Sequence, residues 1–452
     1  MTATDCDTRH FTRPRGRLQR RCGYCYTTGP ETLSLCTACR VVCYCSDEHR
    51  FAHSSQHKEA CEKVQEYRTR LADEEGKTRI NFLNPPNGFA THAGALMNIY
   101  FMSECVKIRF FLADIMRKIG AFDGMHEALG LFTDMMRLDP AADTLLRKLI
   151  PPLMLQLGKD QDCYDFIRWY QTVRPRSDKH RGRVDYPSFD TTRADAFESP
   201  DYTLRRRYTD IFHCTNLIFL KLTILADVVN IRVTRKVLDG KLPVELWEAI
   251  ELATLSSPIS ISLTRKSTFE LVETECMLVR QVQNLGSHLR QANGLAIQAL
   301  LSPDPQPDTP ETTTKRALEE TRLLLQCSAA PWCEIEGPLD LLRAAKDIAA
   351  CDARSEVHDV LRRSAHKKAK TSRKTEEELL EDISCERIWE YLGLAVEDAG
   401  NLSSQRPSAV KTNGWRAMHR EETDYCDHTE TETTSDSEDD SGPDWEGCFK
   451  DA

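Results

Sequence analysis

Between positions 22 and 61 the chain reads CGYCYTTGPETLSLCTACRVVCYCSDEHRFAHSSQHKEAC, and its cysteines and histidines recur at intervals that dictate chemistry. Cys22 and Cys25 form one C-x2-C pair, and Cys36 and Cys39 form a second. Cys45 and His49 follow at C-x3-H spacing, then His57 and Cys61 at H-x3-C. Thiolate sulfur and imidazole nitrogen are the ligands Zn²⁺ prefers, and two residues between cysteines let a tight turn present both sulfurs to one ion. Eight such groups fill two tetrahedral shells and leave no open position, the arrangement of structural rather than catalytic zinc. So small a segment, poor in large apolar residues, cannot bury enough surface to fold unaided. Metal binding then supplies the folding free energy, on the order of 10 kcal/mol per site. Single ligands stay open: Cys43 is an alternative to Cys45, and His53 to His49, because His49, His53 and His57 recur along one helical face.

Composition narrows the setting. The chain has 452 residues with 18 cysteines, far too few outside this stretch for a disulfide scaffold, and its first residues carry arginines rather than an apolar leader. Reduced cysteines imply cytosol or nucleus. At 40% apolar and 29% charged residues the composition is that of an ordinary soluble chain. No stretch approaches the roughly 18 uncharged apolar residues of a membrane span, so no membrane partner is expected. The net charge of −10 is local: residues 421–452 hold 13 Asp and Glu against one Lys, which leaves the body close to neutral. Neither part has the broadly basic surface of a dedicated nucleic-acid binder.

The Cys/His set resembles the MYND-type finger, written C-x2-C, C-x2-C, C-x3-C, H-x3-C with interleaved pairing. The five residues between Cys39 and Cys45 and the seven between His49 and His57 match it, as does Tyr44-Cys45-Ser46. The resemblance implies that Cys22, Cys25, Cys45 and His49 hold one zinc ion and that Cys36, Cys39, His57 and Cys61 hold the other. His49 stands where the family has cysteine, a legitimate substitution for a zinc ligand. Ser54 stands where the family usually carries a tryptophan that shapes its peptide-docking surface, so the family's proline-rich specificity is not carried over. Phe51 and Gln56 lie between ligands where that surface forms. The words RLDPAADTLLRKLIPPLMLQLGKDQDCYDFIRWY are similar to the helical region beside the finger in a group of fungal MYND-domain proteins.

Apolar periodicity makes the rest mainly α. Residues 1–21, with Arg9, Arg13, Arg15, Arg17, Arg20 and Arg21, read as a disordered basic arm ahead of the finger at 22–61. An α-helical domain spans 80–300. Within it Phe101, Cys105, Ile108, Leu112, Ile115 and Ile119 share one face, and Asp123 caps a helix carrying Ala128, Leu131, Phe132, Met135 and Met136. A further helix runs from Thr144 to Leu157 and ends at Gly158, and Tyr164, Phe166, Ile167 and Tyr170 mark the next. Residues 120–172 look like one tetratricopeptide-type (TPR-like) unit, followed by a long loop at 174–202. One central helix is expected from Asp201 through Val229, then helices at Leu242–Leu255 and Ser267–Leu301. Residues 315–398 supply more: Lys315–Cys327, Leu339–Cys351, Glu356–Ser364 and Glu376–Ala395. The basic run at 366–374 reads as a solvated linker or an import address, and 399–452 as a disordered acidic tail in which Thr433, Ser435 and Ser437 suit acid-directed kinases.

No catalytic constellation emerges. There is no G-x-S-x-G, H-E-x-x-H or G-x-G-x-x-G, and Gly76-Lys77-Thr78 lacks the glycine a phosphate loop needs at position 71. The SET-type lysine methyltransferases that contain a MYND finger carry an Asn-His pair after it, which this chain lacks. The expectation is a zinc-binding, non-enzymatic adaptor that docks protein partners through the finger and a helical platform. The alternative is a nuclear regulator that reaches nucleic acid through the arginine arm.

Overall fold

The computed structural model describes residues 16–29, 33–84, 102–138, 143–172, 193–205, 209–301, 315–366 and 375–401. Among the described residues the one sheet is a two-stranded ladder: β1 (Ser34–Leu35) pairs antiparallel with β2 (Cys43–Tyr44), Ser34 opposite Tyr44 and Leu35 opposite Cys43. Each C-x2-C pair is followed at once by a residue in the left-handed region, Tyr26 (φ 59°) after Cys25 and Arg40 (φ 60°) after Cys39. The amide of Tyr26 donates to the Cys22 carbonyl at 3.0 Å, and that of Arg40 to the Cys36 carbonyl at 2.9 Å. Left-handed backbone is costly for a residue with a side chain, so both turns are held against their local preference.

Helix α1 (Asp47–Ala52) starts at Ser46, whose hydroxyl accepts from the His49 amide. Helix α2 (Ser54–Ile80) carries His57, Cys61 and Val64 on its buried face. Its polar surface is laced with i,i+4 pairs such as Lys63–Glu59 and Arg79–Glu75. From there the chain is helical: α3 (Met102–Ile119), α4 (Phe122–Leu138), α5 (Asp143–Gln156), α6 (Asp160–Thr172), α7 (Asp201–Leu204), α8 (Ile211–Leu238), α9 (Trp247–Ala253), α10 (Thr268–Ala292), α11 (Leu295–Leu301), α12 (Lys315–Glu334), α13 (Pro338–His366) and α14 (Glu376–Gly400). The interior faces follow the apolar periodicity: Cys105, Ile108 and Leu112 of α3 and Ala128, Phe132, Met135 and Met136 of α4 are buried. Helix α8 is buried almost all round and packs on α5, α6, α10, α12, α13 and α14, which makes it the axis of the body. Capping boxes at Ser267/Glu270 and Thr375/Glu378 start α10 and α14, which cross at Gly286 and Trp389.

Several boundaries differ from the sequence reading. The helix expected from Asp201 to Val229 is two, because Asp210 caps a new start by accepting from the amides of Phe212 (3.1 Å) and His213 (3.2 Å). The span Ser267–Leu301 breaks at Asn293, whose side-chain oxygen accepts from Leu295 N at 3.1 Å and restarts the helix. Within 242–255, residues Val244–Leu246 form a 3₁₀ turn before α9, and a second, unexpected 3₁₀ segment spans Pro258–Arg265. Conversely, α12 runs through Pro331 to Glu334, and the two helices expected between 339 and 364 are the single α13. Of the loop at 174–202, residues 193–200 are held against the body and 201–204 are helical; residues 173–192 lie outside the described residues.

The arm expected over 1–21 is cut short. Residues 16–21 form a strap across the body: Gly16 N donates to Glu334 O (2.7 Å) and Leu18 N to Gln156 O (2.9 Å), while Leu18 is buried. Arg17 reaches inward to Asp160 (2.5 Å), the Ser256 carbonyl (3.1 Å) and the Leu155 carbonyl. Three acceptors around one guanidinium, two of them on the buried residues Asp160 and Leu155, outweigh the solvation that would favour a free arm. Residues 1–15 and the tail from 402 lie outside the described residues, as do most of 366–374 and Thr433, Ser435 and Ser437.

Candidate metal centre

Two knuckles, the β1–β2 ladder and two helical turns bring eight ligand atoms into two groups. Cys22, Cys25, Cys45 and His49 form one, and Cys36, Cys39, His57 and Cys61 the other; within each, all candidate ligand atoms lie within 4.8 Å of one another. The pairing is interleaved: the first knuckle joins β2 and α1, and the second joins α2. A two-residue ladder suffices because each knuckle is already closed by its own backbone hydrogen bond.

The separations suit a tetrahedral ion. With metal–sulfur bonds of about 2.3 Å and metal–nitrogen bonds of about 2.0–2.1 Å, neighbouring sulfurs should stand about 3.8 Å apart and sulfur and nitrogen about 3.5 Å. In the first group Cys25 Sγ and Cys45 Sγ are 3.5 Å apart, and His49 Nδ1 stands 3.0 Å from Cys45 Sγ and 3.9 Å from Cys22 Sγ. In the second group Cys36 Sγ and Cys61 Sγ are 3.9 Å apart and Cys39 Sγ is 3.3 Å from His57 Nε2. Four donors at such distances could each hold one metal ion.

The thiols of the two groups are shifted in both directions. Burial, with the neighbouring thiols Cys36 and Cys61 adding repulsion, pushes the Cys39 thiol up to about 12, and Cys45 also stands at about 12 chiefly through burial. At Cys25 and Cys36 burial acts in the same direction but hydrogen bonds outweigh it, so those two thiols lie below their ordinary value, and a divalent cation at the centre of each group would favour the thiolate throughout. Burial lowers His57 to about 4, with His53 adding, so its imidazole is neutral, as a ligand must be.

Both alternative ligands are engaged elsewhere. The Cys43 thiol turns away and donates to Asp123 Oδ2 at 3.0 Å, and burial then Asp123 push it up to about 11. The His53 ring stacks on His57 with centroids 5.7 Å apart, and its Nδ1 meets the Tyr44 hydroxyl at 3.0 Å. Tyr44, itself buried, also stands edge-on to His57 at 6.3 Å and so fixes the ring of a candidate ligand. In the sequence His53 showed only as a spacing rival to His49, Tyr44 only within the Tyr44-Cys45-Ser46 run and Asp123 only as a helix cap; their contacts around the two groups carry no spacing signature.

The finger is seated on the body rather than tethered to it. Asp123, at the start of α4, accepts from Cys43 and from Arg20 Nε (3.0 Å), and Arg68 of α2 pairs with Glu127 of α4 at 2.6 Å. A Cβ on Gly124 would come within 2.4 Å of Val41 Cγ1, so only glycine admits the finger's valine here. Between the finger and the α3–α4 turn lies a cleft of about 270 Å³, lined in part by Arg21, Tyr26, Gln56 and Phe122. Gln56 thus faces the body across this cleft, while Phe51 is 83% exposed on α1.

Comparison with known proteins adds nothing further: no family model, no curated protein and no solved structure matches the chain. Among the described residues no helix is long and apolar enough to cross a membrane.

Proposed function

We propose that the chain is a zinc-binding, non-enzymatic docking protein: a MYND-type finger with two structural zinc ions, mounted on a helical platform that includes a TPR-like unit, presents protein partners with a rigid surface. The observation that carries this reading is the pair of interleaved groups in which all four candidate ligand atoms lie within 4.8 Å of one another. A closed shell of four protein ligands leaves no position for a substrate or activated water, which favours a structural over a catalytic ion. Zinc fits better than a hard cation because all five distances above join sulfur to sulfur or sulfur to imidazole and none involves a carboxylate oxygen. Phe51, exposed at the rim, supplies an aromatic anchor of the kind that dominates contact energy in protein interfaces. Arg17 and Arg20 are turned onto Asp160 and Asp123, so two arginines of the arm are drawn away from any phosphate contact.

Elemental analysis of the purified full chain tests the first half, with two zinc ions per chain expected. Affinity purification from nuclease-treated cell extract tests the second. Wild type should retain a protein partner that the Cys36→Ala/Cys39→Ala variant loses. Identical partner sets for both would move docking away from the finger and leave zinc a purely structural role.

A further inference from the structure

Helix α8 ends in a stretch that the rest of the described fold leaves uncovered. After the turn at Asp239 and Gly240 (φ 68°), the run Leu242-Pro243-Val244-Glu245-Leu246 is exposed at every residue, with Val244 66% and Leu246 52% open. Leu252, on α9, is exposed as well. Trp247 Nε1 donates to the Leu242 carbonyl at 3.1 Å, which folds the run into a fixed ridge rather than a loose loop. Exposed apolar side chains gathered this densely mark a surface made to be covered. Its fringe carries three exposed acids, Asp239, Glu245 and Glu248, against two exposed lysines, Lys236 and Lys241.

The chain itself delivers a fitting occupant. Helix α14 closes at Gly400, and Lys236 Nζ, one turn before Asp239, donates to the Gly400 carbonyl at 2.8 Å. The sequence therefore leaves the described structure beside this ridge. Residues 402–420 contain Arg406, Lys411, Arg416 and Arg420, no Asp or Glu, and the apolar pair Trp415 and Met418. Residues 421–452 are strongly acidic and would meet like charge at the ridge. At about 3.3 Å per residue, the stretch from Asn401 to Trp415 reaches roughly 45 Å, more than enough to cross an adjacent helix end. A tethered segment also meets its site at high effective concentration, so modest contacts suffice.

We propose that residues 402–420 dock in cis on the ridge at 242–252, with Trp415 and Met418 against its apolar side chains and the basic residues among Asp239, Glu245 and Glu248. Lys241 on the ridge and Lys411 on the segment provide the test. Full-length protein, mixed equally from light and isotope-labelled chains, is treated with an amine-reactive cross-linker and read by mass spectrometry, alongside hydrogen exchange at 242–252. A Lys241–Lys411 link within one chain is expected, and it should be lost in Trp415→Ala/Met418→Ala and in Glu245→Lys/Glu248→Lys. Amides of 242–252 should exchange faster in both variants. Adding Lys411→Glu/Arg416→Glu to the Glu245→Lys/Glu248→Lys variant should restore their protection. Links only between chains would assign the ridge to a second copy and overturn cis docking, as would links and exchange that none of these substitutions changes.

Discussion

Replacing Arg17 with methionine should destabilise the helical body, although Arg17 lies outside the finger and near the start of the chain. Its guanidinium meets Asp160, whose side chain is fully buried, and is itself only 15% exposed. Both donors that reach Asp160, Arg17 and the Ser257 hydroxyl (2.5 Å), converge on Oδ2, while Oδ1 has no hydrogen-bond partner among the described residues. Asp160 sits in the first turn of α6, where helix amides favour a negative charge by about 0.3–1 kcal/mol. That is too little to support a buried carboxylate alone. Removing one partner of such a pair costs about 3–5 kcal/mol, because the other charge stays behind in a medium that solvates it poorly. Methionine keeps the apolar stem, so the loss reports the charge and its hydrogen bonds rather than a cavity.

The pH dependence supplies a second readout. Burial raises Asp160 above the ordinary carboxylate range, with Arg17 and Ser257 opposing it. The folded state therefore holds this proton to higher pH than the unfolded chain, and the group's ionisation subtracts stability as pH rises between those two values. Without Arg17 the raised value climbs further. The deficit of Arg17→Met should grow with pH above the ordinary carboxylate value and shrink below it. Urea unfolding followed by circular dichroism at several pH values measures both, and Asp160→Asn in the same background should recover part of the loss. A deficit under about 1 kcal/mol that is flat with pH would refute the reasoning and return residues 16–21 to the status of a dangling arm.

Other sites give shorter tests. Gly286→Ala places a Cβ within 2.1–2.4 Å of three Trp389 ring carbons, and overpacking of about 1–3 kcal/mol exceeds the roughly 1 kcal/mol gained in helix propensity. Thermal unfolding should show a lower midpoint that Trp389→Leu partly restores. Lys221→Met removes a fully buried amine that donates to Ala196 O (2.6 Å), Glu198 O (2.9 Å) and Gln281 Oε1 (2.6 Å). Leaving these acceptors unpaired should cost about 1–3 kcal/mol and speed hydrogen exchange over 193–200 first. Chelation of the metal in the full chain should speed exchange not only within 22–61 but also at the start of α4, where Asp123 and Gly124 receive Cys43 and Val41. Protection there that is unchanged by chelation would make the finger an independent module.

What could be read from the sequence divides according to how far apart the cooperating residues lie. The grouping of the eight Cys and His residues was legible because metal geometry imposes fixed spacings, and the faces of α3 and α4 were legible because a helix repeats every 3.6 residues. Helix joints were read less well, since Asn293 and Asp210 break or start helices through single side-chain caps, whereas Pro331 is absorbed inside a helix whose neighbours hold it. Hardest were pairings between distant positions. Nothing near Arg17 announces Asp160 at 143 positions' remove, and nothing near Cys43 announces Asp123 at 80. An arginine amid arginines and prolines reads as a solvated arm because its partner's burial is a property of the fold. Cys43 is the clearer lesson. By spacing alone it competes with Cys45 for a place in the group, and only the start of α4, arriving with Asp123, gives its thiol another role and leaves that place to Cys45. Which thiol joins the candidate metal group is therefore partly decided by the body, so the Cys/His segment and the body are better regarded as one folding unit than as a module and its support.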